Sequence, residues 1–228
     1  MKQIASITTL TLIAAAAMAD AAPAVAPASA WTQSGNLALS SNYIWRGVSQ
    51  NNDAFAISGG YDVAHTSGLS AGVWASSVTA AQGLEVDLYA NYGFKVAGID
   101  ASVGYIAYLY QGQAASNFSE VNVSATYAGV TAKVSKEISN DANGSGFSDF
   151  GYYYELGYTY SIPAVKGLDL GLHYGWADIN GSSDTAEDYS VSFTYPVAGF
   201  AATVAYNNVP GNTVAEHDLY SISLKKSF

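Results

Sequence analysis

A histidine and a serine two residues apart, His65 and Ser67, are the side chains in this sequence best suited to covalent chemistry. A histidine can act as general base for a serine nucleophile, and close to a membrane such a pair would hydrolyse a lipid ester. The sequence contains no GxSxG, Walker A or GxGxxG string that would supply another nucleophile or a nucleotide site. Both residues belong to the string His-Thr-Ser-Gly, which favours a tight turn capped by its own side chains. We therefore predict no catalytic residue and no enzyme, and we keep a lipid hydrolase as the third hypothesis for function.

Two predicted loops carry oxygen ligands at a spacing suited to calcium. Asp141, Asn143, Ser145 and Gly146 match the first half of an EF-hand loop, but its twelfth position is Tyr152 rather than Glu. Without that bidentate carboxylate, solvated polar loops are the better interpretation. A second group could hold a divalent ion near lipopolysaccharide only weakly: Asp178, Asn180, Asp184 and Asp188.

The histidines in the second half of the chain lie far apart in sequence. His173 and His217 are separated by more than forty positions, and a lone histidine is more often a hydrogen-bonded residue than a metal ligand. The chain has no cysteine, which excludes disulfides, thiolate chemistry and Cys-ligated zinc. We predict neither a metal nor any other cofactor.

Composition restricts the class of protein further. Acidic residues outnumber basic ones by 18 to 8, which disfavours nucleic acid as a partner because phosphate contacts depend on Lys and Arg. Half the residues are hydrophobic, yet after the N-terminus no run reaches the roughly 18 apolar residues of a membrane helix. The 22 Gly and 18 Tyr, with Val and Thr recurring between Gly, Asn and Asp, indicate an all-β chain of one domain.

The first residues are typical of an export signal. Lys2 precedes an apolar run from Ile4 to Met18, and small residues follow it. We predict a signal peptide over residues 1–19, with cleavage anywhere from Ala19 to residue 30, and a short periplasmic segment over residues 20–34.

From residue 35 to residue 228, runs of about ten residues alternate between apolar and polar side chains. This is the pattern expected when one face of each strand meets lipid and the other meets a polar lumen. We predict a closed antiparallel transmembrane β-barrel with both termini in the periplasm, because the strand count is even and short and long connections alternate. The twelve predicted strands span residues 36–46, 54–65, 69–78, 84–95, 98–110, 118–128, 130–138, 150–162, 167–177, 188–196, 199–207 and 218–228.

Outward aromatic side chains fall at both ends of these strands, as expected for two interfacial girdles. Tyr43 and Trp45 are predicted to face lipid at the long-loop ends. Trp74 shares its phase with Ser70 and Gly72, so it either faces the lumen or lies beside a bulge. The alternative fold is a soluble β-sandwich, which would bury these aromatics in a second sheet.

Charged residues occupy the predicted inward phase, where they would tune ion selectivity. The nine acids are Asp62, Glu85, Asp87, Asp100, Glu120, Glu137, Glu155, Asp169 and Asp188. The four bases are Arg46, Lys95, Lys133 and Lys225, and His173 shares the same phase. Their excess of acid predicts a preference for cations, whereas a salt-bridged lumen that merely holds the barrel together is almost equally compatible.

Two sets of residues carry resemblances to known families. The last strand, with Tyr220, Ile222, Leu224 and Phe228, resembles the C-terminal signal read by the barrel assembly machinery, and Lys226 departs from it. The strings NYIWRGVSQ, GGYDVAHTSG and GVWAS resemble the TorF family of porins, and the positions that carry the match are Asn42, Tyr43, Trp45, Arg46, Gly47, Asp62, His65, Ser67, Gly68 and Trp74. This resemblance implies a transport barrel of unspecified substrate. His-Thr-Ser-Gly also resembles outer-membrane phospholipase A, but lacks the Asn that family places between Ser and Gly.

These observations predict a porin for passive diffusion of small hydrophilic solutes or cations. Its partners would be outer-membrane lipid, lipopolysaccharide and the assembly machinery. The second hypothesis is a structural or surface-binding barrel whose lumen is plugged by side chains, because twelve strands enclose a lumen intermediate between filled and open barrels.

Overall fold

The computed structural model describes residues 29–140, 150–179, 185–210 and 218–228. Within them the chain forms a closed antiparallel barrel of twelve strands and a small two-stranded hairpin. The strands are β1 (Trp31–Ser40), β2 (Ile44–Trp45), β3 (Val48–Ser49), β4 (Ala56–His65), β5 (Leu69–Ser77), β6 (Leu84–Val96), β7 (Ile99–Tyr110), β8 (Phe118–Tyr127), β9 (Val130–Asn140), β10 (Phe150–Ser161), β11 (Asp169–Ile179), β12 (Thr185–Val197), β13 (Phe200–Asn208) and β14 (Leu219–Ser227). One short 3-10 helix, Ala114–Ser116, precedes β8. Among these elements no helix is long and apolar enough to cross a membrane.

The barrel closes between its first and last strands. Strand β1 pairs with β14 on one side and with β4 on the other, so each of the twelve barrel strands has two neighbours. Gly35 and Phe228 exchange backbone hydrogen bonds at 2.9 and 3.2 Å, which places the start of β1 beside the end of β14. Both ends of the barrel chain therefore lie at the same end as the short turns.

Three of the short turns are two-residue Ala-Gly turns, at residues 97–98, 128–129 and 198–199. In each turn both residues have positive φ, between 50° and 84°. This is the primed turn geometry that matches the twist of a hairpin, and it explains why these connections are tight. Residues 78–83 and 111–117 connect strands at the opposite end of the barrel, whereas the seven residues 162–168 form a longer connection at the short-turn end.

Polarity is inverted relative to a soluble protein. Outward side chains such as Leu88, Val123 and Ile222 are apolar and exposed, while the inward side chains of the same strands are polar and buried. Strand β6 illustrates this: Glu85 and Asp87 face inward and are at most 1% exposed. The predicted strand count and class of fold are thus confirmed.

The first predicted strand differs most from the structure. It begins at Trp31, inside the segment predicted to precede the barrel, and ends at Ser40 rather than at residue 46. Strand β1 stops there because the chain turns into the lumen. The outward orientation predicted for Tyr43 and Trp45 is therefore wrong, since both rings contact the inside of the barrel wall.

Trp74 faces the lumen and is 5% exposed. Its strand pairs with β4 in unbroken register from Ser58 to Ala64, so no bulge accounts for this orientation. In the described strands the register shifts elsewhere, at Ile138 of β9, opposite Ser119 and Glu120, and at Gly151 near the start of β10. The predicted signal peptide, the EF-hand-like loop and His217 lie outside the described residues.

Candidate functional site: the lumen and its inward hairpin

Residues 41–55 form a loop that folds into the barrel, here called the inward hairpin. Strands β2 and β3 pair within it, and Arg46 and Gly47 make its two-residue turn with φ of 49° and 76°. Gly47 is required by space as well as by φ, because a Cβ there would collide with the side chain of Val209 and lie 2.8 Å from Asp188 Cβ. The glycine thus allows the hairpin tip to pack tightly against the opposite wall.

Polar side chains close the base of the inward hairpin. The Asn42 amide donates to Asp53 at 2.7 Å, and the Ser49 hydroxyl donates to Asn42 Oδ1 at 2.8 Å. The backbone N–H of Tyr43 donates to Asn51 Oδ1 at 3.2 Å. These bonds satisfy backbone and amide groups that no barrel strand reaches.

Arg46 fixes the tip of the inward hairpin to the barrel wall. Its guanidinium makes a bidentate ion pair with Glu120 on β8, with N–O distances of 2.8 and 2.9 Å. The guanidinium lies between two rings, 4.1 Å from the centroid of Trp45 and 4.0 Å from that of Tyr153. Burial alone would lower the pKa of Arg46, which lies on a loop outside the strands, but the Glu120 carboxylate raises it above its ordinary value. Arg46 therefore stays charged while almost fully buried, as a bidentate pair permits.

Aromatic side chains of the inward hairpin pack on the strands opposite its base. The Tyr43 hydroxyl donates to Glu85 at 2.8 Å, and its ring meets Trp74 edge-on with centroids 5.3 Å apart. Trp45 packs against Tyr108 and Phe118 with centroids 5.8 and 6.1 Å apart. Together with Arg46 and Gly47, these contacts span the lumen from β5 to β12. The hairpin therefore constricts the barrel toward its long-loop end.

Glu85, Asp87 and Glu120 form an acidic wall on β6 and β8. All three are at most 2% exposed, and none lines the main cavity described below. Glu85 accepts from Tyr43 and Glu120 pairs with Arg46, but neither oxygen of Asp87 has a hydrogen-bond partner among the described residues. The inward hairpin thus provides partners for Glu85 and Glu120 but not for Asp87.

A cavity of about 330 Å³, the main cavity, occupies the other side of the lumen. Its lining runs from Ser40 and Asn207, at the long-loop ends of their strands, to Gly129 and Ala201 at the short-turn ends. More than half of this lining consists of the small residues Ser, Thr, Ala and Gly. Its charged and titratable residues are Arg46, Lys133, Glu155, His173, Asp188 and Lys225.

Hydrogen bonds and ion pairs connect most of the charges of the main cavity. Lys133 pairs with Glu155 across β9 and β10. Asp188 accepts from the Tyr153 hydroxyl at 2.6 Å and lies 2.9 Å from His173 Nε2. This arrangement holds His173 as a hydrogen-bonded wall residue, as predicted from sequence.

The remaining predicted lumen charges lie on the inward face near the strand ends or beside other polar groups. Asp62 accepts from the Tyr89 hydroxyl at 2.6 Å. Lys95 pairs with Asp100 beside a short turn, where both are more exposed. Two further positions are close to other inward groups: Asp169, which accepts from Ser161, and Glu137, which is directly opposite Glu120.

His65 and Ser67 lie in a short turn and contact each other. The Ser67 hydroxyl is 2.9 Å from His65 Nδ1, and the Ser67 backbone N–H donates to the same nitrogen at 3.2 Å. Gly68 has φ of 97°, and a Cβ there would collide with the carbonyl of Gly93. These contacts suit the predicted turn-capping role. Among the described residues, no three His, Asp or Glu side chains are arranged to hold a metal ion.

The residues predicted to form the assembly signal face outward. Tyr220, Ile222, Leu224 and Phe228 are all exposed on the outer face at the end of the barrel. Lys226, which departs from the pattern, donates to the carbonyl of Gly199 at 2.8 Å and lies over the Phe200 ring. The role of this strand in assembly stays a prediction.

Sequence reasoning missed the inward hairpin, which is the main feature of the lumen. It placed Arg46 in the lumen, but as a strand residue rather than as the tip of a loop. Two signals were present: Trp-Arg-Gly within an otherwise regular strand, and the run of amides and Asp that follows it. Both are typical of a turn rather than of a membrane-spanning strand.

The closed barrel with a polar interior defines the class of porin-like β-barrels. The KdgM porin superposes with a TM-score of 0.59 at 10% sequence identity, over 86% of this chain and 99% of that chain. A KdgM porin in complex with disordered oligogalacturonate gives 0.55 at 8% identity, over 86% and 98% of the two chains. A chain solved in work on the in-meso crystallization of membrane proteins gives 0.57 at 10%, over 86% and 83%. At these identities the likeness establishes the fold.

The chain belongs to the Gcw_chp family of bacterial proteins of unknown function, whose model matches residues 24–226. No curated protein matches the sequence. The resemblance to the TorF family stays a prediction.

Proposed function

We propose that this protein is an outer-membrane porin through which small hydrophilic solutes diffuse passively. The observation that carries the proposal is the main cavity, which holds charged and hydroxyl side chains and whose lining extends from one end of the strands to the other. Charged and hydroxyl side chains inside a barrel with an apolar outer face are suited to contact with water or a hydrophilic solute. The porin fold of the structural neighbours supports the same function.

The outer membrane is the proposed location. We place both termini and the short turns in the periplasm, and the long connections outside, as is usual for bacterial barrels. Export by a signal peptide over residues 1–19 and recognition of the last strand by the barrel assembly machinery are part of the proposal. Outer-membrane lipid and lipopolysaccharide would contact the outer face.

A barrel blocked by the inward hairpin is the second candidate function. It is favoured by one observation, the set of contacts through which the hairpin spans the lumen from β5 to β12. Such a barrel would serve a structural or surface-binding role. Single-channel recording in planar bilayers separates the two functions: discrete current steps support the porin, whereas pure folded protein that inserts without conducting overturns it.

We also propose that the pore prefers cations to anions. The nine acids and four bases predicted to face inward leave a net charge near −5, which attracts cations into a low-dielectric lumen. The main cavity itself is lined by three bases and only two acids, because the acidic wall lies behind the inward hairpin. We therefore propose a weaker preference than the total inward charge would give.

Reversal potentials across a KCl gradient measure this preference. Glu155→Gln removes an acid that lines the main cavity and should move the potential toward zero. Glu85→Gln with Asp87→Asn removes two covered acids and should move it less. Both effects should fade at high salt, because the Debye length falls from about 10 Å at 0.1 M to about 3 Å at 1 M. An anion-selective wild type would overturn the cation preference.

A further inference from the structure

The inward hairpin divides the lumen into two sides of different charge. On one side lies the acidic wall, with Glu85, Asp87 and Glu120. On the other lies the main cavity, whose ionised groups nearly balance. Arg46 contacts both sides, because its guanidinium pairs with Glu120 and also lines the main cavity.

We propose that Arg46 determines ion specificity by holding the inward hairpin over the acidic wall. The inference rests on the proposed porin function. Arg46 acts in two ways: its own charge opposes cations in the main cavity, and its ion pair keeps the acids away from the conduction path. Loss of the pair should therefore widen the pore and increase its cation preference together.

The contacts of Arg46 are suited to positioning a loop. A bidentate guanidinium–carboxylate pair fixes both distance and plane, and the rings of Trp45 and Tyr153 hold the guanidinium from two sides. Lysine, a point charge without a planar fork, cannot reproduce either set of contacts. The turn at Arg46 and Gly47 has the positive φ of a two-residue hairpin turn, so it forms locally, and the contacts of Arg46 determine where its tip lies in the lumen.

Asp87 shows that covering the acidic wall is unfavourable for the acids themselves. Its side chain is fully buried, beside Glu85 on the same strand, and its oxygens have no hydrogen-bond partner among the described residues. A buried carboxylate without partners is strongly destabilised relative to one in water. The other two acids of the wall, Glu85 and Glu120, are bonded to Tyr43 and Arg46 of the hairpin, so withdrawal of the hairpin would let water reach the wall and relieve this cost, and the Arg46–Glu120 pair opposes that movement.

The expected change in charge is large. With the hairpin in place, the main cavity presents three bases and two acids. After Arg46→Ala and exposure of the acidic wall, the path would present two bases and five acids. At 0.1 M KCl we expect the K⁺/Cl⁻ permeability ratio to rise by about threefold or more, together with a higher single-channel conductance.

Lys225→Met is the matched control. Lys225 lines the same cavity, so this variant also removes one positive charge, but Lys225 has no ion pair with the hairpin. It should raise the permeability ratio only slightly and change the conductance much less than Arg46→Ala does. Equal effects of Arg46→Ala and Lys225→Met on both quantities would refute a positioning role.

Arg46→Lys separates charge from position, because it keeps the positive charge and loses the bidentate pair. We expect it to resemble Arg46→Ala in conductance rather than wild type. Glu85→Gln with Asp87→Asn provides a second test by double-mutant cycle. These changes should lower the cation preference strongly in the Arg46→Ala protein and only slightly in the wild-type protein, and additive effects would contradict the inference.

A thiol-labelling experiment tests the hairpin without relying on conduction. The chain has no cysteine, so Gln50→Cys introduces the sole thiol at a hairpin position that is 7% exposed. A charged thiol reagent should modify it at least about tenfold faster when Arg46→Ala or Glu120→Gln is also present. Faster labelling in a protein that never conducts would support the hairpin contact and overturn the porin function. A conducting protein in which neither change affects labelling would overturn the inference alone. If Arg46→Ala fails to fold, Glu120→Gln supplies the same comparison.

Discussion

Replacement of Leu88 by arginine tests the orientation of strand β6 toward lipid. Leu88 is 47% exposed on the outer face, between Val73 and Ala107 of the neighbouring strands. An arginine at the bilayer midplane of such a barrel costs about 2 to 4 kcal/mol, falling to about 0 to 1 kcal/mol at the interfaces.

The position of Leu88 along the strand sets the expected magnitude. Strand β6 has 13 residues, so Leu88 lies two residues from its centre. At about 3.3 Å per residue and a tilt near 40°, that offset is about 5 Å along the membrane normal. The apolar band extends about 12 Å to each side of the midplane, so we expect a loss of about 2 kcal/mol in the free energy of unfolding. This is a factor of about 30 in the folding equilibrium constant.

Reversible unfolding in urea, with the barrel folded in lipid vesicles, provides the assay. Leu88→Ala measures the loss of apolar contact alone, so the difference between the two variants isolates the charge. Asn91→Ala, on the inward face of the same strand, should cost far less than Leu88→Arg. Equal costs at positions 88 and 91 would refute the assignment of lumen and lipid faces.

Further predictions concern the lumen and the outer face. Leu170→Arg should cost less than Leu88→Arg, about 1 kcal/mol in the same unfolding assay, because Leu170 lies four residues from the centre of β11 and therefore about 10 Å from the midplane. Gly47→Ala should displace the inward hairpin, because the added Cβ collides with Val209 and the turn requires positive φ. We expect the free energy of unfolding to fall by about 1 to 3 kcal/mol and the single-channel conductance to rise. An unchanged conductance would contradict this prediction. Tyr153→Phe leaves Asp188 without its 2.6 Å hydrogen bond and should destabilise the barrel by about 1 to 3 kcal/mol, read by thermal unfolding. The same variant keeps the aromatic ring against Arg46, so single-channel conductance should stay at the wild-type value.

The alternation of side chains was sufficient to predict the barrel. Side chains along a strand point to alternate faces, so the sequence determines which residues share a face once the strand is recognised. This is why the strand count and the inward position of Glu85, Glu155 and Lys133 could be predicted from residue order alone. The tight Ala-Gly turns were likewise visible, because two-residue turns with positive φ have a short local sequence signature.

The inward hairpin depends on contacts that alternation does not encode. Tyr43 and Trp45 continue the apolar phase of β1, and only the turn at Arg46 and Gly47 redirects them into the lumen. Glu85, which accepts from Tyr43, is 42 residues away in sequence, and Glu120, which pairs with Arg46, is 74 residues away; both lie on other strands of the closed barrel. No local pattern specifies such an encounter.

Accessibility of the charged residues was also decided by tertiary structure. Period-two phasing places Glu85 and Glu155 on the same inward face and treats them as equivalent. In the closed barrel Glu155 lines the main cavity, whereas Glu85 is covered by Tyr43. The sequence by itself determined which side of each strand meets the lumen, because that depends on neighbours along the chain. Only the tertiary structure determined which of the lumen residues line the solute path. Closure of the barrel and the loop folded inside it decide this, since both bring together residues from distant strands.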